Sequence, residues 1–234
     1  MIRAMIFDLD GTLADTEPLH LAAFNDVLRD RGIEIPRDEY FSRLVGLDDR
    51  DCFAAVLANR GQQAGAREIG DLIARKTAVY QRMIANRDVL YPGAERFLRR
   101  CAARFPLLLA TGTLRAEAEI ILGRAGIRPL FLDIVTAEDV ARGKPDPAGF
   151  VATLGRIDSL LARRPAIQPA ECLVVEDTGA GIEAAHRAGM KVLAVCHTAP
   201  APALAAADAV CSTINDIDLD ALVGRFAGGE GGRR

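Results

Sequence analysis

No apolar run in this 234-residue sequence approaches the roughly 20 residues that a membrane-spanning helix needs; stretches such as Pro106 to Ala110 are far shorter. A soluble chain is the expectation. The opening segment MIRAMIFDLDG reaches two aspartates at once and lacks the apolar length and small-residue cleavage site of a secretory signal. Cysteine is sparse. Cys52, Cys101, Cys172, Cys196 and Cys211 are scattered without metal-site or redox spacing, and read as small core residues in a reducing compartment. The expected location is cytoplasmic. Positive charge is not in excess either: 29 Lys and Arg against 32 Asp and Glu leave a formal net charge of -3. That balance gives no electrostatic footprint for nucleic acid or an anionic membrane. Small molecules become the expected partners, with the chain itself a monomer or weak homodimer.

What is present is an ordinary globular composition, 50% hydrophobic and 26% charged, with length enough for one domain carrying a smaller one. Short apolar runs recur at Ala4 to Phe7, Leu107 to Ala110, Leu132 to Val135, Cys172 to Val175, Lys191 to Val195 and Ala209 to Cys211, each suited to a buried strand. Helical patterns lie between them at Gly93 to Arg104, Arg115 to Ala125, Pro147 to Leu154 and Gly179 to Ala188. This alternation predicts an α/β fold, a doubly wound parallel sheet covered on both faces. From Pro18 to Arg87 the rhythm breaks into helices alone: Pro18 to Arg31, Arg50 to Arg60 and Arg67 to Ile84. The chain therefore divides into a core of residues 1–16 and 88–227, a helical insert of residues 17–87, and a Gly-rich, disordered tail of residues 228–234.

The chemistry gathers at the ends of the apolar runs. In Asp8-Leu9-Asp10-Gly11-Thr12 two carboxylates stand two residues apart, a spacing that turns both to one face of an extended segment. Their repulsion suggests a metal site unless the pair is a solvated turn, and Gly11 permits a sharp bend away. Thr111-Gly112-Thr113 offers a hydroxyl and an amide as a phosphate cradle, or a plain turn with Thr113 capping the next helix. Lys144, between Gly143 and Pro145, reads by itself as a surface lysine, and Glu176-Asp177 ends another run.

These four motifs, FDLDGTLADTE, TGT, GKPDP and ED, occur in the order of the haloacid-dehalogenase superfamily, which the chain resembles over nearly its whole length. The insert resembles that superfamily's mobile cap. The resemblance implies Asp8 as nucleophile and Asp10 as general acid and base. It implies phosphate binding by Thr111, Gly112 and Lys144, and a magnesium ion held by Asp8, the Asp10 carbonyl and Asp177, with Glu176 either a further ligand or a partner of the ligands. An aspartate where Asp10 stands separates the chain from the dehalogenases proper and implies phosphorus as the target.

Within the superfamily the sequence most resembles the beta-phosphoglucomutase-like and CbbY-like group, through Asp15-Thr16-Glu17, His20 and the segment around Lys76. That likeness implies that Thr16, His20 and Lys76 couple cap closure to the site. Without it, His20 reads as a packed histidine and Lys76 as a solvated charge. A mutase needs a second phosphate site, and the positions resembling its lysine and arginine are Val45 and Asp49. With Asp48 adjacent, only Arg50 is left as a nearby cation. A phosphatase acting on a small phosphorylated metabolite is therefore the preferred expectation, a phosphosugar mutase the alternative, and a non-catalytic phosphosugar-binding protein the third.

Overall fold

The computed structural model describes residues 1–161 and 165–227; the segment 228–234, read above as a tail, lies outside the described residues. Strands β1 (Ala4–Phe7), β2 (Leu107–Ala110), β3 (Phe131–Val135), β4 (Cys172–Glu176), β5 (Lys191–Val195) and β6 (Ala209–Cys211) form one parallel sheet in the order β3-β2-β1-β4-β5-β6. Their near-continuous apolar sequences follow from burial on both faces. Alternation divides the side chains. Met5, Phe7, Leu107, Leu109 and Val175 join one hydrophobic cluster, while Ala4, Ile6, Leu108, Ala110 and Val174 join the other.

Two layers of helices cover these faces. Helices α5 (Ala94–Ala102), α6 (Arg115–Arg124) and α9 (Leu219–Ala227) contribute Phe97, Leu122 and Phe226 to the first cluster. Helices α7 (Ala148–Leu161) and α8 (Gly179–Arg187) contribute Phe150, Ile157 and Ile182 to the second. Each such residue stabilises the fold by about 1.5–3 kcal/mol through burial. Helix α7 runs past the expected stop at Leu154, because Phe150, Thr153 and Ile157 continue one buried face across Gly155. Helix α9, unread in the sequence, is held by buried Leu219, Leu222 and Phe226.

The segment after β1 is helical: α1 (Glu17–Leu28), the short α2 (Arg37–Glu39) leading into a π-helical turn at Tyr40–Leu44, α3 (Asp49–Asn59) and α4 (Ala66–Ile84). Phe24, Ile35, Tyr40, Phe53, Leu57 and Leu72 form its own hydrophobic cluster. The π-turn has no signature in the sequence reading, and it turns Tyr40 inward. The chain enters and leaves this segment side by side. Asp15 N donates to Val89 O at 2.7 Å, Tyr91 N donates to Leu13 O at 2.9 Å, and Ala14 bridges Leu90. No helix among the described residues is long and apolar enough to cross a membrane.

The sheet order reverses between β1 and β4. At such a switch point two strands diverge above the sheet and leave a crevice at their carboxyl ends. Phe7 pairs with Val175 in the β1–β4 register, so Asp8 on one strand and Glu176-Asp177 on the other emerge together into that crevice.

Candidate active site

Asp8 is 5% exposed, Glu176 1% and Asp177 fully buried, and a ligand atom from each lies within 4.8 Å of the others. Lys144 enters from the β3–α7 connection and donates to Asp8 Oδ1 at 2.5 Å and to Glu176 Oε1 at 2.6 Å. Burial alone would lower the lysine's pKa, but the two carboxylates carry it above the ordinary value. One ammonium cannot balance three carboxylates. Burial, reinforced by Glu176 and Asp8, raises the Asp177 pKa well above the carboxylate range; burial likewise raises Asp8 against the pull of Lys144.

Glycines make this crowding possible. A Cβ on Gly181 would meet Glu176 Oε1 at 1.8 Å, and one on Gly11, where φ is +73°, would meet Asp177 Oδ2 at 2.1 Å. Glu176 is further fixed through Oε2, which accepts from Asp177 N, Thr178 N and Thr178 Oγ1 at 2.7, 2.8 and 3.0 Å. Asp177 Oδ1 accepts from Thr12 Oγ1 at 2.8 Å, whereas its Oδ2 is buried without a partner among the described residues. An orphaned carboxylate oxygen inside an all-oxygen, net-negative cluster fits a hard divalent cation such as magnesium.

The carboxylate of Asp10 turns away from this cluster. Its Oδ1 accepts from Thr16 Oγ1 at 2.6 Å and faces His20 Nε2 at 3.4 Å, and its Oδ2 accepts from Thr113 Oγ1. Burial would raise its pKa, but the contacts from His20, Thr113 and Thr16 prevail and hold it below the usual carboxylate range. The expectation of two carboxylates on one metal-facing side is therefore corrected for the Asp10 side chain, because the Gly11 turn directs it toward α1. Thr111 Oγ1 accepts from Thr113 N at 3.1 Å and lies 3.5 Å from Asp10 Oδ2, while Gly112 is exposed on the cavity wall. Helix α6 is preceded by Leu114 without a side-chain cap, so Thr113 serves Asp10 and not the helix.

From Asp10 a chain of contacts runs into the helical segment. Lys76 Nζ donates to His20 Nδ1 at 2.8 Å and to Asp49 Oδ1 at 2.7 Å. Accepting at Nδ1 places the imidazole proton on Nε2, toward Asp10. Lys76 is wholly buried, 4.9 Å from the ring centres of both Phe24 and Tyr80, so reading it from sequence alone as a solvated charge is corrected. Asp48 accepts from Asp51 N at 2.9 Å as the cap of α3, and Val45 packs against the helical cluster. Arg50 is exposed at the cavity wall, with no ion-pair partner among the described residues.

For His197 and Glu117 no motif signalled a role, and Glu17, inside the first motif, carried no assigned role. His197 Nδ1 donates to Gly11 O at 3.1 Å and its Nε2 accepts from Ile214 N at 3.2 Å; this pins the turn between Asp10 and Thr12, and burial lowers the histidine's pKa. Glu17 is buried and accepts from the Tyr40 hydroxyl at 2.6 Å, and burial raises its pKa. Glu117, on α6, is 1% exposed. A cavity of about 380 Å³ joins Glu17 and Glu117 to Asp8, Thr111 and Lys144.

A profile of the haloacid dehalogenase-like hydrolases matches residues 2–189. The chain is 31% identical over 218 residues to validoxylamine A 7'-phosphate phosphatase from Streptomyces hygroscopicus subsp. limoneus, covering 93% of this chain and 96% of that protein. It is 30% identical over 227 residues to beta-phosphoglucomutase from Bacillus subtilis (strain 168), covering 94% of each. Its fold is similar to that of CbbY from Rhodobacter sphaeroides in complex with xylulose-(1,5)bisphosphate: the TM-score is 0.81 at 26% identity, over 92% of this chain and 96% of that one.

Proposed function

The chain belongs to the haloacid dehalogenase-like hydrolases, and we propose that it is a magnesium-dependent phosphatase that releases phosphate from a small sugar-phosphate or phosphoglycolate-like monoester. In this reading Asp8 attacks phosphorus and forms an aspartyl phosphate, in the ionised form that Lys144 and a bound cation would favour against the burial that raises its pKa. Lys144, 2.5 Å from Asp8 and 2.6 Å from Glu176, lowers the repulsion between the attacking carboxylate and the phosphate dianion. Thr111 and Gly112 offer a hydroxyl and an amide to the phosphoryl oxygens. Asp8, Glu176, Asp177 and the Asp10 carbonyl would hold magnesium, which supplies charge neutralisation at the transferring phosphoryl group.

Asp10, once protonated, gives its proton to the departing alkoxide. It then takes one from the water that hydrolyses the aspartyl phosphate, which restores both carboxyl groups. Its contacts with Thr16, His20 and Thr113 favour the charged form, the state suited to the second step. For the first step Asp10 must leave these partners. Residues 17–87 would act as a cap on a core of residues 1–16 and 88–227, hinged near Thr16 and Asp88, with Lys76 and His20 transmitting cap position to Asp10.

The observation that carries hydrolysis over isomerisation is the pairing of Asp49 with buried Lys76. Where a second phosphate would need free cations, this chain has a neutralised ion pair, the helix-capping Asp48 and apolar Val45. Arg50, exposed and without an ion-pair partner among the described residues, favours the second reading, a phosphosugar mutase with Arg50 as distal phosphate ligand. The test is to follow phosphate release and the interconversion of hexose 1- and 6-phosphates in one preparation. Release outpacing interconversion supports the phosphatase; the opposite result establishes the mutase.

A further inference from the structure

Glu117 stands in the first turn of α6, one turn beyond Thr113, the residue that binds the Asp10 carboxylate. Its side chain lines the cavity yet is almost fully buried, and its Oε1 has no hydrogen-bond partner among the described residues. Burial raises its pKa to about 7, against the pull of Lys76 and His20 and with smaller help from Asp49 and Asp10. Leaving such a group unsatisfied costs stability, typically about 1–3 kcal/mol. Nearby, Thr77 Oγ1 and the Tyr80 hydroxyl, both on α4, which packs against α6, are also buried without a hydrogen bond among the described residues. Neither of those residues lines the cavity; Glu117 does.

A phosphate held at Asp8 and Thr111 puts its ester oxygen near Asp10, so the alcohol extends toward the wall formed by His20, Lys76, Asp49, Glu17 and Glu117. That wall is poor in net positive charge. Lys76 is neutralised by Asp49, and the remaining carboxyl groups, Glu17 and Glu117, offer an anion no attraction in either protonation state. A carboxyl that titrates near neutrality can either accept a hydrogen bond from a hydroxyl or donate one to it.

We propose that Glu117 is a specificity-determining residue that hydrogen-bonds a hydroxyl of the substrate's alcohol portion, so that the released alcohol is a neutral polyol and not a molecule bearing a second anionic group. The inference rests on the phosphatase reading and narrows it from any small monoester to a polyol monophosphate. The unpartnered oxygen is then a site preorganised for a ligand, and the stability it costs is recovered when the ligand binds.

The experiment uses the full chain with magnesium, as wild type, Glu117→Leu and Glu117→Gln, on glucose 1-phosphate, fructose 1-phosphate, 2-phosphoglycolate and p-nitrophenyl phosphate. Leucine conserves volume and removes a buried polar group, so the variant is expected to fold with a melting temperature no lower than wild type. The ratio of kcat/KM on the better hexose phosphate to that on the aryl phosphate should fall about tenfold in Glu117→Leu, mainly through KM. Glu117→Gln should recover most of that loss. A ratio that moves less than twofold, a glutamine variant as damaged as leucine, or 2-phosphoglycolate as the best wild-type substrate overturns the proposal. If the wild type releases no phosphate from any of the four, the phosphatase reading falls. Calorimetric titration of the hexose phosphates into Asp8→Asn and Asp8→Asn/Glu117→Leu then decides this inference: a Kd raised about tenfold by the second change supports it, and an unchanged Kd overturns it.

Discussion

Lys76 and Asp49 form an ion pair of 2.7 Å in which the ammonium side chain is fully buried while the carboxylate keeps 21% of its surface exposed. The asymmetry has an energetic consequence. Removing Asp49 leaves a charge without access to water, whereas removing Lys76 leaves one that solvent still reaches. Asp49→Ala should therefore destabilise by about 3–5 kcal/mol. Lys76→Met should cost less, about 1–3 kcal/mol. Urea unfolding of both variants checks this, and the reverse order would contradict the assigned burial.

Asp8→Asn should retain the fold, because the amide is nearly isosteric and Lys144 keeps its contact with Glu176. Its steady-state phosphate release should fall at least about a thousandfold, since an amide is a poor nucleophile. Circular dichroism and a phosphate-release assay measure the two effects. Appreciable turnover in this variant would remove Asp8 from the proposed role.

On the proposed function, magnesium removal should abolish activity and lower the melting temperature, because the folded cluster would bind the ion and the unfolded chain would not. The stabilisation is about 2.7 kcal/mol when the ion is at a hundred times its Kd. Asp177→Asn should behave oppositely without metal. It removes a carboxyl whose charged form burial, reinforced by Glu176 and Asp8, disfavours, so the metal-free variant should melt no lower than wild type while losing the response to magnesium. A full thermal response in the variant would exclude Asp177 as a ligand.

Glu117 gives a pH dependence whose sign is fixed. Its folded pKa, about 7, is raised from 4.5, so the folded state holds a proton that the unfolded state releases between those values. Its contribution is most favourable below pH 4.5 and declines as pH rises through 7, by up to about 3 kcal/mol. Comparing Glu117→Leu with wild type by urea unfolding at pH 5 and pH 7.5, at constant magnesium, isolates that slope. The variant should gain on wild type as pH rises.

His197 works in the other direction. Burial depresses its pKa, and its Nε2 accepts from Ile214 N, so the neutral ring is the stabilising form. That stability is present above the ordinary histidine value of 6.5 and is lost as pH falls through the depressed one. His197→Ala should remove this acid sensitivity and weaken magnesium binding several-fold by freeing the Gly11 carbonyl. An unchanged magnesium titration in His197→Ala would show that the Gly11 turn holds without it.

The strands were legible because each is a short apolar run buried on both faces, and burial of that kind leaves a local mark in the residues themselves. The same holds for Asp8, Glu176 and Asp177, which end those runs, and for the helices whose buried faces repeat every three to four residues. Helix α9 and the π-turn at Tyr40–Leu44 were not legible, because Leu219, Leu222 and Phe226, like Tyr40, become a buried face only when a partner surface exists. By itself, then, the sequence determined the strand ends, their order along the chain and the kinds of groups placed there. Tertiary structure alone decided that Asp10 faces Thr16 and Thr113, that Lys76 meets Asp49 and His20, that His197 holds the Gly11 turn, and that Glu117 reaches the cavity. Each of those contacts joins groups on different elements. Their charge states depend on how packing excludes water and brings opposite partners together, and no local pattern of residues records that distance.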